Sequence, residues 1–338
     1  MSENPQQTNG AFVISLDFEL YWGILDKHSL VDRKQYFLDT REKAIPGILS
    51  LFRQYRIHAT WATVGMLFCD GREQLQATLP SIKPNYTNPR LSSYEYIKTN
   101  PLGRSEQEDP YHFAPSLIKI IASHEGQEIG SHSFSHYYCL EQGQSQQSFR
   151  ADLESARLVA QNLNIQLSSL VFPRNQFNNE YLKICMDQGF KQIRSNEPSW
   201  VWNIGNSKSE GAVKRSIRYM DSYVNLFGRN AYSTIDRSFS SLACLPASRF
   251  LRPFNPKAAS FEKLKMARIL ADLDLAAQSK AYYHLWWHPH NFGFHTAQNL
   301  GNLEVILDHV AKLREKYDFQ SFNLAECNRI WSTPSRHV

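Results

Sequence analysis

Short apolar runs rich in β-branched and aromatic residues alternate along the chain with stretches whose apolar positions recur every three or four residues. That alternation is the signature of a largely parallel α/β architecture. Ala11 to Leu16 reads as a buried first strand, and Lys43 to Tyr55 as the helix behind it, with Ile45, Ile48, Leu49 and Phe52 at helical spacing. Further strands are predicted over His58 to Val64, Glu128 to Ser131, Ser168 to Phe172, Phe190 to Arg194 and Tyr282 to Trp287, and helices over Leu117 to Ser123 and Phe149 to Leu163. Leu303, Ile306, Leu307, Val310 and Leu313 fall on one helical face, which is expected to pack on the outside of the sheet. The stretch from Asp70 to Pro115, rich in Pro, Asn, Ser and Tyr, reads as irregular and too long for a simple connector, hence as functional.

No repeat, low-complexity tract or Gly/Ser linker divides the sequence. One decorated domain over residues 11–332 is therefore expected after a disordered 1–10, with insertions at about 70–115 and 195–256. The 338 residues are 42% hydrophobic and 13% aromatic, enough to bury a barrel-sized core. No apolar run approaches a membrane span, and the start Met1-Ser2-Glu3-Asn4-Pro5-Gln6-Gln7 lacks the basic and apolar regions of a signal peptide, so a cytoplasmic protein is expected. The five cysteines are scattered, with no CxxC pair, and read as reduced, buried thiols. A net charge of +5 without Lys/Arg blocks argues against nucleic acid as a partner, while its sign suits an anionic sugar donor.

Four polar segments interrupt this scaffold. Gly130-Ser131-His132-Ser133-Phe134-Ser135-His136 carries two imidazoles four positions apart, able to face one metal ion, and Ser15-Leu16-Asp17-Phe18-Glu19 supplies carboxylates far upstream. Asp17 sits in an otherwise apolar strand, where an ionised carboxylate is costly unless paired. Phe172-Pro173-Arg174-Asn175-Gln176 and the run Trp286-Trp287-His288-Pro289-His290 complete the set. By alternation His284, Trp286 and His288 share one strand face, whereas His290 lies beyond Pro289.

In this order the segments resemble the motifs of the polysaccharide deacetylase family (the NodB-homology domain, carbohydrate esterase family 4). The first motif departs from the usual pair of adjacent aspartates by alternating as Asp17-x-Glu19, and the third places Pro173 before Arg174 rather than after it. The resemblance implies a distorted, partly open (β/α) barrel with long loop insertions, whose polar groups converge on the rim formed by the C-terminal strand ends. It implies one divalent ion, zinc first and Co, Ni or Mn as alternatives, held by Glu19, His132 and His136. Asp17 would be the general base, oriented by pairing with Arg174, and His288 the general acid that protonates the departing amine. The implied activity is hydrolysis of an N-acyl group, acetyl or formyl, from a small amino sugar, nucleotide- or lipid-linked, in surface polysaccharide biosynthesis.

Two other function classes fit parts of the pattern. A metal-independent C–N hydrolase of the cyclic-imide or allantoin type would not need the intact His132, His136 and Glu19 set, and a non-catalytic carbohydrate-binding barrel would not need base, ligands and acid together. Trp22, Tyr111, Asn175 and Trp200 are candidates to line a sugar site, with core aromatics as the alternative for the rings. Arg249 and Arg252 offer forked donors for an oxyanion, with solvated surface arginines as the alternative. The acidic support that the family gives its catalytic His has its nearest match in Glu197-Pro198-Ser199-Trp200.

Overall fold

The structure is a computed structural model that describes residues 9–207, 210–239 and 241–331. The disordered segment expected over residues 1–10 lies almost entirely outside them. Among the described residues ten strands form one curled sheet: β1 (Ala11–Phe18), β2 (Ala59–Thr63), β3 (Gln127–Ser131), β4 (Ser169–Val171), β5 (Gln192–Ser195), β6 (Asp236–Phe239), β7 (Leu242–Pro246), β8 (Arg249–Phe250), β9 (Tyr282–Trp287) and β10 (Gln320–Phe322). Their order is β6-β7-β5-β4-β3-β2-β1-β9-β8, with β10 paired to the first residues of β1. Every pairing is parallel except β6 with β7, so the C-terminal ends of the main strands share one rim. The order has two ends, β6 and β8, which makes the sheet a half-barrel and not a closed one.

Strand alternation divides the core into two layers. In β1, Phe12, Ile14, Leu16 and Phe18 point outward into the large cluster shared with helix Ile45–Tyr55 and the long helix Thr296–Tyr317, which buries the face from Leu303 to Leu313. Ala11 and Val13 point into the bore with Ala62, Val171, Ala243, Leu245 and Tyr282, and Leu324 and Cys327 of the helix Leu324–Trp331 close its floor. Above that apolar plug the inward positions of β1 turn polar, at Ser15 and Asp17, both buried. The change of polarity along one strand face sets the depth at which chemistry begins.

The stretch from Asp70 to Pro115 is not structureless: it contains helices Arg72–Thr78 and Ser93–Thr99, the second capped by the Ser92 side chain accepting from Glu95 N–H. The region around 195–256 contributes β6 to β8 and the helix Ala212–Asp221. All five cysteines are free and buried. Among the described residues no helix is long and apolar enough to cross a membrane.

Candidate active site

β1 ends at Phe18, so Glu19 leaves the strand at the rim, and β3 ends at Ser131, which releases His132 beside it. His132 and His136 are not on a helix, although their spacing suits one. They sit on a tight loop in which Ser133 and His136 take left-handed backbone angles (φ +59° each). Backbone bonds hold this loop against the neighbouring strand end: His132 N–H donates to the Thr63 carbonyl, Gly65 N–H to that of Ser133 and Met66 N–H to that of Phe134. Asp152 of the helix Gln146–Gln161 secures it from behind. Its Oδ1 accepts Phe134 N–H at 2.6 Å, and its Oδ2 accepts Ser135 N–H at 3.2 Å, the Ser135 hydroxyl, and the Tyr94 hydroxyl at 2.9 Å.

The result is a compact nitrogen and oxygen cluster. Glu19 Oε2 lies 3.4 Å from His132 Nε2 and 2.9 Å from His136 Nε2, and ligand atoms of the three residues all lie within 4.8 Å of one another. His132 Nδ1 is 2.8 Å from the Val171 carbonyl, which fixes the proton on Nδ1 and leaves the Nε2 lone pair facing the carboxylate. His136 Nδ1 meets the Tyr138 hydroxyl at 3.0 Å. Burial pushes the His136 imidazole down to about 4, so it is neutral near pH 7, as a ligand must be. Burial opposes ionisation of Glu19, yet the surrounding imidazoles of His288, His136 and His132 outweigh it and hold the carboxyl well below the usual range. Gly23 completes the fit, because a Cβ there would run into the Glu19 carboxylate. Two neutral imidazoles and one carboxylate, pre-oriented at the rim, suit a divalent ion with open coordination positions.

Asp17 lies one turn of the strand deeper. Its partner is Arg194 of β5 and not Arg174: Nη1 donates to Oδ1 at 2.6 Å and Nη2 to Oδ2 at 2.8 Å. Arg194 is inward-facing by strand alternation, stacks 4.1 Å above the Trp286 ring and also donates to Ser15 Oγ and Asn175 Oδ1. Burial works against the Asp17 anion, but Arg194 more than compensates and its carboxyl is shifted down. Arg174 instead pairs with Asp26 at 2.6 Å and lies 4.3 Å over the Tyr138 ring, since a left-handed turn (φ +54°) aims it along the cleft wall. No local sequence signal marked Arg194: the run Phe190-Lys191-Gln192-Ile193-Arg194 mixes polar and apolar residues, and only the folded sheet brings its last side chain to Asp17.

His288 follows β9. It is a quarter exposed, with Nε2 3.7 Å from both Asp17 Oδ2 and Glu19 Oε1, and the Asn291 amide nitrogen faces its Nδ1 at 3.3 Å. Glu197 is not its support: it is buried in a separate charged cluster and accepts from Asn230 at 2.7 Å. His290 lies 3.8 Å from Glu19 Oε1 and His284 is fully buried against Ser15 Oγ at 2.8 Å; burial pushes both down to about 3.

These groups open into a cleft of about 430 Å³ walled by Trp286, Phe250, Arg174, Asn175 and Lys27. A larger cleft, about 710 Å³, lies at the opposite end of the strands between Arg53, Arg56 and His124 and contains none of these side chains. Most of the other expected sugar-site residues do not reach the cleft at the C-terminal rim. Trp22 is fully buried, its indole N–H donating to the His112 carbonyl; Tyr111 packs against the core; and Trp200, 58% exposed, stands edge-on to Phe227. Arg249 is buried with its Nη donors committed to Asp221 and Asp272, and Arg252 donates to Ser222 Oγ and stacks over Tyr219, so the two do not form an open oxyanion fork.

The structure is thus a parallel half-barrel with a His-His-carboxylate cluster and a buried Asp-Arg pair at its C-terminal rim. Residues 35–193 match the polysaccharide deacetylase family model, a span that includes His132, His136 and Arg174 but neither the N-terminal acids nor His288. Two solved structures of proteins assigned as polysaccharide deacetylases share the fold. One, from Mycobacterium smegmatis, has a TM-score of 0.61 at 13% identity over 100% of this chain and 96% of its own; the other, from Pseudomonas aeruginosa PAO1, has 0.56 at 9% identity over 99% and 97%. Puue allantoinase aligns with a TM-score of 0.55 at 10% identity, covering 99% of this chain and 94% of that one. No curated protein matches in sequence. Over residues 35–193 the chain is similar to the polysaccharide deacetylase family, and the structure as a whole shares its fold with these solved proteins.

Proposed function

We propose that the protein removes an N-acyl group, acetyl or formyl, from an amino sugar, and that it does so with a divalent ion at Glu19, His132 and His136. The observation that carries this reading is the juxtaposition of two sets on one rim: the three ligand atoms within 4.8 Å, and Asp17 with His288 beside them. Zinc suits two imidazole nitrogens and one carboxylate oxygen, and Co, Ni and Mn share that donor preference. Such an ion supplies Lewis acidity toward the acyl carbonyl and toward water.

The chain's own residues do the rest. Asp17 accepts the proton of the water that attacks the acyl carbon. Its two oxygens each receive one Arg194 donor, which leaves further lone pairs on a carboxylate with about four acceptor sites. Arg194 keeps Asp17 ionised and fixes its angle, and Asn175 Oδ1 steadies Arg194 in turn. His288 Nε2–H delivers a proton to the amine nitrogen as the carbon–nitrogen bond breaks, because an amine leaves poorly as an anion. Trp286 and Phe250, with ring centroids 4.6 Å apart, offer an apolar wall on which a sugar ring can pack.

A metal-supplemented screen of N-acetyl and N-formyl amino sugars, following free amine, tests the reading. Amine release that needs both the metal and Asp17 supports it, whereas hydrolysis unaffected by chelation would point to the metal-independent class.

A further inference from the structure

The catalytic cleft contains a cation that the deacylation chemistry does not use. Lys27 lines it, yet the Lys27 ammonium has no ion pair or hydrogen bond among the described residues. Pairing accounts for the nearby charges on the protein: Asp17 is taken by Arg194, and Asp26, the acid next to Lys27 in sequence, is taken by Arg174 at 2.6 Å. Arg215 of the helix Ala212–Asp221, close enough to act electrostatically on Lys27, has no side-chain partner among the described residues either. Glu19 is the remaining carboxylate, and a divalent ion more than neutralises it. The cleft wall is thus left with net positive charge.

The segment that carries Lys27 is held in place rather than loose. Lys27 N–H and His28 N–H both donate to the Ile24 carbonyl, the Tyr21 hydroxyl donates to the His28 carbonyl at 2.8 Å, and Arg90 Nη2 donates to the Asp26 carbonyl at 2.8 Å. A fixed loop presenting an uncompensated ammonium into a cleft of sugar size is a preorganised receptor for an oxyanion.

We infer that Lys27, backed by Arg215, binds an anionic group carried by the substrate, so that the preferred substrate is an N-acyl amino sugar bearing a phosphate or a carboxylate. This rests on the deacylase reading for the identity of the sugar but not for the presence of the receptor. An ammonium is a compact point charge that accepts either oxyanion, unlike a forked guanidinium.

Binding to the metal-loaded full chain, followed by calorimetry, tests this without requiring turnover. The probes are UDP-N-acetylglucosamine for phosphate, N-acetylmuramic acid for carboxylate, and neutral N-acetylglucosamine. At least one anionic probe should bind roughly tenfold or more tightly than the neutral sugar, with the preference shrinking as salt is raised. Lys27→Gln should remove most of the preference, Lys27→Arg should keep it, and Arg215→Gln should reduce it less. Which acid shows the preference identifies the source of the charge. Equal binding of all probes, no binding of any, or a preference that survives in Lys27→Gln overturns the inference. If the Lys27-dependent preference appears but no probe releases amine, the deacylase reading fails while the receptor stands; if neutral sugars are deacylated with no anionic preference, the reverse holds.

Discussion

Arg194 grips Asp17 through both carboxylate oxygens, at 2.6 and 2.8 Å, with both side chains buried. Two parallel charge-assisted bonds of this kind fix direction as well as charge. Removing one partner strands the other in a low-dielectric interior, so Arg194→Met should destabilise the protein by about 3–5 kcal/mol in urea denaturation and suppress turnover. Arg194→Lys should fall in between, since an ammonium cannot bridge both oxygens. Arg174→Gln removes the pair with Asp26 and the stacking on Tyr138 at the cleft wall and should cost less, about 1–2 kcal/mol. A larger stability loss from Arg174→Gln than from Arg194→Met would mean that the two arginines have been assigned the wrong partners.

The sequence made the strands that lie near the site legible because they are strongly patterned. β1, β2, β3 and β9 fall within two residues of the expected runs, and the face from Leu303 to Leu313 packs outward as its period implies. The helix Glu262–Gln278 was not legible, because it buries Lys265, Arg268 and Asp272 among its apolar residues and so shows no clean stripe. β8 and β10, two and three residues long, are too short for alternation to register, and β6 and β7 fall within the stretch at about 195–256 that was expected to be an insertion. At the site, Glu19, His132 and His136 could be picked out by residue type and order. Arg194 and Asp152 could not, since their roles depend on which strand or helix lies beside which, a property of the folded sheet and not of local sequence.

His288 stands 3.7 Å from both acids and lines the cleft. As the proton donor to a leaving amine, its loss should penalise amides more than activated esters, whose leaving groups need little protonation. His288→Ala is expected to lower kcat/KM on an N-acetyl amino sugar by about 10²–10⁴-fold and on an aryl acetate far less, and to flatten the alkaline limb of the amide pH profile. Equal losses on both substrates, or the selective loss appearing in His290→Ala instead, would remove His288 from that role.

Away from the site, burial pushes the Glu197 carboxyl up to about 8, against the opposing charge of Arg249. Unfolding returns it to about 4.3. A group whose folded value is raised contributes stability that is fully present below the unfolded value and is lost as pH rises through the folded one. Urea denaturation should therefore show stability falling between about pH 5 and pH 8, by at most about 1.4 kcal/mol per pH unit from this group. Glu197→Gln, which keeps an acceptor for Asn230, should flatten that slope. An unchanged slope in the variant would place the pH dependence elsewhere.

Metal content measured on purified protein and its variants addresses the Glu19, His132 and His136 cluster most directly. After saturation with zinc and removal of the excess, the protein should hold about one ion per chain, as a mononuclear hydrolytic centre does. The His132→Ala/His136→Ala double variant should hold none, Glu19→Gln should bind it weakly, and Asp17→Asn should retain it while losing turnover. Unchanged metal content in the double histidine variant, or metal lost with Asp17→Asn and kept with Glu19→Gln, would contradict the assignment.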